Sequence, residues 1–99
     1  MSLRIVFHPR VFSEVDAIMD YYERVGGIHL ADDFYAEFRL FVQDASGEPE
    51  KYNIRRGNFR RVNLERFPFN FLFRVQEDSI RILVVRHHAR RPTLGTKRR

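Results

Sequence analysis

Phe67–Pro92, FPFNFLFRVQEDSIRILVVRHHARRP, decides the fold of this 99-residue chain. Two apolar runs, Phe69 to Gln76 and Ile80 to His87, flank the short polar segment Glu77-Asp78-Ser79. Two β-prone runs across a turn-sized polar gap read as a hairpin. Ile82-Leu83-Val84-Val85 is continuously apolar rather than alternating. A strand buried on both faces has that pattern, so the last strand is expected at the centre of a sheet. Its end is a dense cationic run, Arg86-His87-His88-Ala89-Arg90-Arg91. The candidate functional residues gather where the strand leaves the sheet.

Upstream, Phe59 to Leu64 reads as a further strand with mixed faces, and Glu65-Arg66 as the turn that follows it. Residues 50–58 form a polar, basic connection. Earlier still the period changes from two to 3.6. Phe12, Val15, Ile18, Met19 and Tyr22 recur at helical spacing within a helix from about Val11 to Val25. Leu30, Phe34, Phe38, Phe41, Val42 and Ala45 do the same in a second helix from about Ile28 to Ala45. Gly26-Gly27 separates the two and favours an antiparallel pair. Ser46-Gly47-Glu48-Pro49 stops the second helix. Leu3 to Phe7 is a first short strand, ended by His8-Pro9.

The order β-α-α-β-β-β predicts an α+β fold, a helical hairpin packed on one face of a small, mostly antiparallel four-stranded sheet. One domain is expected over residues 1–99, with residues 93–99 a mobile basic tail. The basic residues are expected on the other sheet face and at its rim.

Ten Phe residues rule against a disordered chain. The absence of cysteine excludes disulfide scaffolds, thiol catalysis and thiolate metal sites. No apolar run approaches a membrane span, and no signal-like segment opens the chain, so the expected location is the cytoplasm, with no membrane partner. Charge is divided along the sequence. Residues 1–50 carry 4 Lys/Arg against 10 Asp/Glu; residues 51–99 carry 14 against 3. A basic second half points to a polyanion contact made there. Neither the Asp32-Asp33 pair nor the distant His8 and His29 has ligand spacing, so no metal and no cofactor is expected.

The chain resembles the RelE/ParE superfamily of toxins from type II toxin–antitoxin, or plasmid stabilisation, systems. The residues that carry the resemblance are Phe7-His8-Pro9, Tyr21-Tyr22-Glu23, Phe34-Tyr35-Ala36-Glu37-Phe38, Arg66-Phe67-Pro68-Phe69 and Ile80 through Pro92. They occur in the family's order along nearly the whole chain. The resemblance implies the fold just derived. It also implies growth inhibition, a cognate antitoxin and a toxin–antitoxin hetero-oligomer. It leaves two targets open. RelE-like members cleave mRNA, generally on the ribosome, whereas ParE-like members poison DNA gyrase without cleaving RNA. A non-catalytic or decayed nucleic-acid- or protein-binding module of the same fold is the remaining alternative.

A metal-independent endoribonuclease needs an acid, a base and cations around the reacting phosphate. Histidine and arginine suit these tasks. His88 matches the position of a functional histidine in RNA-cleaving members, and Arg90 that of a phosphate-binding arginine. These two are the catalytic candidates. Arg60, Arg61, Arg74, Arg86, His87 and Arg91 are the nucleic-acid-binding candidates. Two departures weigh against cleavage. RNA-cleaving members tend to carry an arginine at the start of the middle strand, where this chain has Asn70. They often carry a tyrosine near the C-terminus, and here none follows Tyr52.

Overall fold

The computed structural model describes residues 2–55 and 57–99. Arg56, within the polar connection, lies outside them. Strand β1 (Arg4–Phe7) leads into helix α1 (Pro9–Gly26) and helix α2 (Ile28–Gly47). A single 3₁₀ turn at Pro49–Lys51 then precedes β2 (Ile54–Arg55), β3 (Phe59–Asn63), β4 (Phe69–Val75) and β5 (Ser79–His87). The sheet order is β1-β5-β4-β3-β2. Among the described residues only the β1–β5 pair is parallel. The α+β architecture is as expected, with five strands among the described residues instead of four. The extra strand is the two-residue β2, which pairs with β3 inside the polar connection. Its exposed Ile54 and Arg55 carry no alternation long enough to mark a strand.

Local chemistry sets the helix ends. Pro9 occupies the first turn of α1, where its missing N–H costs nothing. His8 is the N-cap, its Nδ1 accepting the Arg10 N–H at 3.1 Å. Gly27, at φ +87°, ends α1 and opens α2 in one residue, with its N–H bonded to the Glu23 carbonyl at 2.9 Å. That single-residue joint forces the antiparallel hairpin. Val11, Val15 and Ile18 are the buried stripe of α1, whereas Phe12 is 61% exposed. Phe12 is one position, about 100° of helix, away from Val11. It rests against Phe7 of β1 instead of entering the core.

The helical hairpin covers one sheet face. Phe34 and Phe38 of α2 meet Phe67, Phe69 and Phe71 mostly edge-on, the favoured aromatic arrangement. β5, between β1 and β4, is buried on both faces as its continuous apolar run predicts. A bulge between Leu72 and Phe73 shifts the register, so that Leu72 faces Val84 and Phe73 faces Ile82. Leu83 is the extra residue. The bulge puts consecutive Leu83 and Val84 into one cluster with Leu72, while Ile80, Ile82 and Val85 join the helical core.

The Leu72–Leu83–Val84 cluster is covered by Phe59 and by Leu94 from the C-terminal segment. Gly95 passes close over the strand at φ +83°, where a Cβ would sit 2.4 Å from the Cβ of Val84. Arg98 donates to Glu14 at 2.8 Å and to the Leu83 carbonyl at 3.1 Å. The other Glu14 oxygen accepts the Val85 N–H at 3.0 Å. β1 ends at Phe7, opposite Ile82. Beyond it, side chains from α1 and the C-terminal segment satisfy the edge of β5 that β1 does not reach.

Candidate functional site

The hairpin register brings Asn70 opposite Arg86, and Phe69 opposite His87. Arg86 is 6% exposed and Asn70 3%, so both polar side chains must be satisfied internally. Arg86 Nε donates to Asn70 Oδ1 at 3.1 Å. Its Nη1 lies 3.3, 2.7 and 2.8 Å from the carbonyl oxygens of Arg91, Pro92 and Leu94. One buried guanidinium therefore holds the middle strand on one side and the turn after the strand exit on the other. Burial, and then the neighbouring Arg61 charge, pull this guanidinium below its ordinary range. The Asn70 amide continues the chain of bonds, with its Nδ2 at 2.9 Å from His88 Nδ1. The His88 N–H is itself fixed by the Pro68 carbonyl at 3.0 Å.

His87 turns toward the helical side and meets the Phe69 ring edge-on at 5.2 Å. Its Nδ1 accepts the Ala89 N–H at 2.9 Å. His87, His88, Ala89, Arg90 and Arg91 are all exposed. A tight turn, with the Arg90 N–H on the His87 carbonyl, presents them together. A groove of about 230 Å³ runs between α1 and this exit, with Ile18, Phe69, His87 and Arg90 among its walls.

The other arginines named from the sequence are placed differently. Arg60 donates from Nη1 to the carbonyls of Tyr52 (2.8 Å) and Pro49 (3.2 Å). Arg74 donates to the carbonyls of Arg98 (3.3 Å) and Gly57 (3.2 Å). Arg61 is half-buried on β3, and its Nε is buried without a partner, as is that of Arg81 on β5. Hence His87, His88, Arg90 and Arg91 form the exposed group. Arg86 lies beneath them with Arg61 near it, and Arg60 and Arg74 fasten neighbouring loops.

Asn70 is the member that sequence reasoning passed over as a participant. It was legible only as a departure from the RNA-cleaving pattern. The available signal was an amide inside the run Phe69-Asn70-Phe71-Leu72, which must find partners once buried. Among the described residues no three His, Asp or Glu side chains converge as a metal site requires. Among them, too, no helix is long and apolar enough to cross a membrane.

A two-helix layer on this sheet order is the architecture of the RelE/ParE superfamily of type II toxins. Residues 5–92 match the family described as "ParE toxin of type II toxin-antitoxin system, parDE", and the chain belongs to that family. Among solved structures it is similar to a chain of the chromosomal ParDE toxin–antitoxin system from P. aeruginosa. The TM-score is 0.77 and the identity 24%, over 87% of this chain and 96% of that one. It is also similar to a mutant of the E. coli toxin RelE in the free state, with a TM-score of 0.64 and 12% identity, over 90% and 86% of the two chains. At these identities the likeness is one of fold. No curated protein matches the chain.

Proposed function

We propose that this protein is the toxin of a type II toxin–antitoxin pair, that a cognate antitoxin neutralises it in the cytoplasm, and that it stops growth by holding DNA gyrase and not by cleaving mRNA. The observation that carries the second half is where the arginines go. A ribonuclease needs several cations free to surround a pentacoordinate phosphorane. Of the candidates for that cradle, Arg60, Arg74 and Arg86 spend their guanidinium groups on the chain's own carbonyls. Asn70, where RNA-cleaving relatives tend to carry arginine, is buried between Arg86 and His88. What remains outward is a compact patch, His87, His88, Arg90 and Arg91, suited to docking on an acidic protein surface. The family match supports the toxin reading and the antitoxin partner.

The test uses purified protein with gyrase and relaxed plasmid. Supercoiling is expected to fall as the protein is added, and His88→Ala combined with Arg90→Ala is expected to weaken the effect at least about tenfold, the scale of one lost anchoring contact. Undisturbed supercoiling, together with site-specific cuts in ribosome-bound mRNA that the double variant abolishes, overturns the reading in favour of an endoribonuclease. Harmless expression without any antitoxin overturns it in favour of a non-toxic module.

A further inference from the structure

Asn70 stands between a group that can only donate and a group that can do either. The Arg86 guanidinium has five N–H donors and no acceptor. Its Nε lies 3.1 Å from Asn70 Oδ1, so that atom must be the amide oxygen. The other end of the amide is then the NH₂ group, and it lies 2.9 Å from His88 Nδ1. An NH₂ can only donate, so Nδ1 must offer its lone pair. In the neutral ring the one remaining proton is on Nε2, the nitrogen directed away from the relay. The orientation of each group follows from its neighbour, beginning from an arginine whose role is not adjustable.

We propose that Asn70 and Arg86 are positioning residues that fix His88 as its Nε2–H tautomer. The exposed edge of the ring is thereby a hydrogen-bond donor for an acceptor oxygen on the target. A neutral His88 set this way cannot take a proton through Nε2, which excludes it as a general base in that form. The proposal rests on the strand exit being the target-facing surface, as in the reading above. Burial shields the Asn70–Arg86 end of the relay. Asn70 and Arg86 are both less than a tenth exposed, so water does not compete for the amide. The same guanidinium holds the carbonyls of Arg91, Pro92 and Leu94, which ties the ring's setting to that of the exposed Arg90–Arg91 turn.

The experiment is nitrogen NMR of the full chain labelled at histidine, at alkaline pH, with His88→Gln used to identify the signals of that ring among the four histidines. For His88 the unprotonated-nitrogen signal is expected at Nδ1 and the protonated one at Nε2. Asn70→Asp then reverses the relay. A carboxylate accepts from both neighbours, so His88 is expected to become protonated at Nδ1. A role confined to filling space predicts no such exchange of signals. A wild-type ring protonated mainly at Nδ1 overturns the proposal, as does an Asn70→Asp ring that keeps Nδ1 bare. If the aspartate variant fails to fold, the wild-type spectrum alone decides. Gyrase does not enter the measurement, so failure here and failure of the target assignment are separate results.

Discussion

Arg86 shows how one side chain can be read for function and be committed to structure. Its place in Arg86-His87-His88-Ala89-Arg90-Arg91 suggests a surface cation, because five of the six residues are basic. The alternation of β5 instead turns it onto the sheet face away from the helices, where Leu94 and the C-terminal turn close over it. A truncated side chain there would leave Asn70 Oδ1 and three carbonyls without their donor. Hydrogen bonds to a charged group are worth about 1.5–3 kcal/mol each, less whatever water recovers. Arg86→Ala is therefore expected to lower unfolding stability by about 3 kcal/mol, read as a drop in the urea midpoint. Arg90→Ala, at an exposed position, is expected to change it by less than about 0.5 kcal/mol. Equal effects from the two substitutions would mean that Arg86 is not the fastening point.

At the scale of elements, α1 depends on a titratable cap. His8 Nδ1 accepts the Arg10 N–H, and only an unprotonated nitrogen can do so. Burial, and then the positive charges of Arg98, Arg81 and Arg10, lower the His8 pKa, with Glu14 opposing them. A histidine whose folded pKa is depressed contributes stability fully above its unfolded value, about 6.5, and loses it as pH falls through the folded value. Between about pH 7 and pH 5 the wild type should lose stability, up to about 1 kcal/mol, the usual worth of an N-cap. His8→Asn keeps an accepting cap that does not titrate and should flatten that slope, as paired urea titrations would reveal. Parallel slopes for the two proteins would exclude His8 as the source. The helices themselves were legible because Val15, Ile18, Phe34, Phe38, Val42 and Ala45 hold a 3.6 period over long segments. β2 was not, because two residues carry no period. The bulge at Leu83 was not either, because an unbroken apolar run hides a change of face.

The whole molecule is electrically two-sided, and this much was legible from residue order alone. The carboxylates of α1 and α2 lie on the helical layer, while Arg61 of β3, Arg81 and Arg86 of β5 and the cations of the C-terminal segment lie across the sheet and at its exit. What the sequence did not disclose is how many of those cations are internally engaged. That depended on register, on the bulge and on the path of the last residues. An exit patch of His87, His88, Arg90 and Arg91 still leaves a local positive field, and Arg61 lies behind it. An antitoxin segment that neutralises the proposed activity by covering this patch should itself be acidic. Opposite charges accelerate encounter, and salt screens them over about 10 Å at 0.1 M. The association rate of the antitoxin's toxin-binding peptide is therefore expected to rise about tenfold or more as salt is lowered from about 0.5 M to about 0.05 M. Arg90→Ala combined with Arg91→Ala should remove most of that gain while leaving the high-salt rate nearly unchanged. A peptide that instead docks along the carboxylates of α1 and α2 would be basic, and its salt dependence would survive the double substitution. Stopped-flow mixing across the salt series separates the two surfaces.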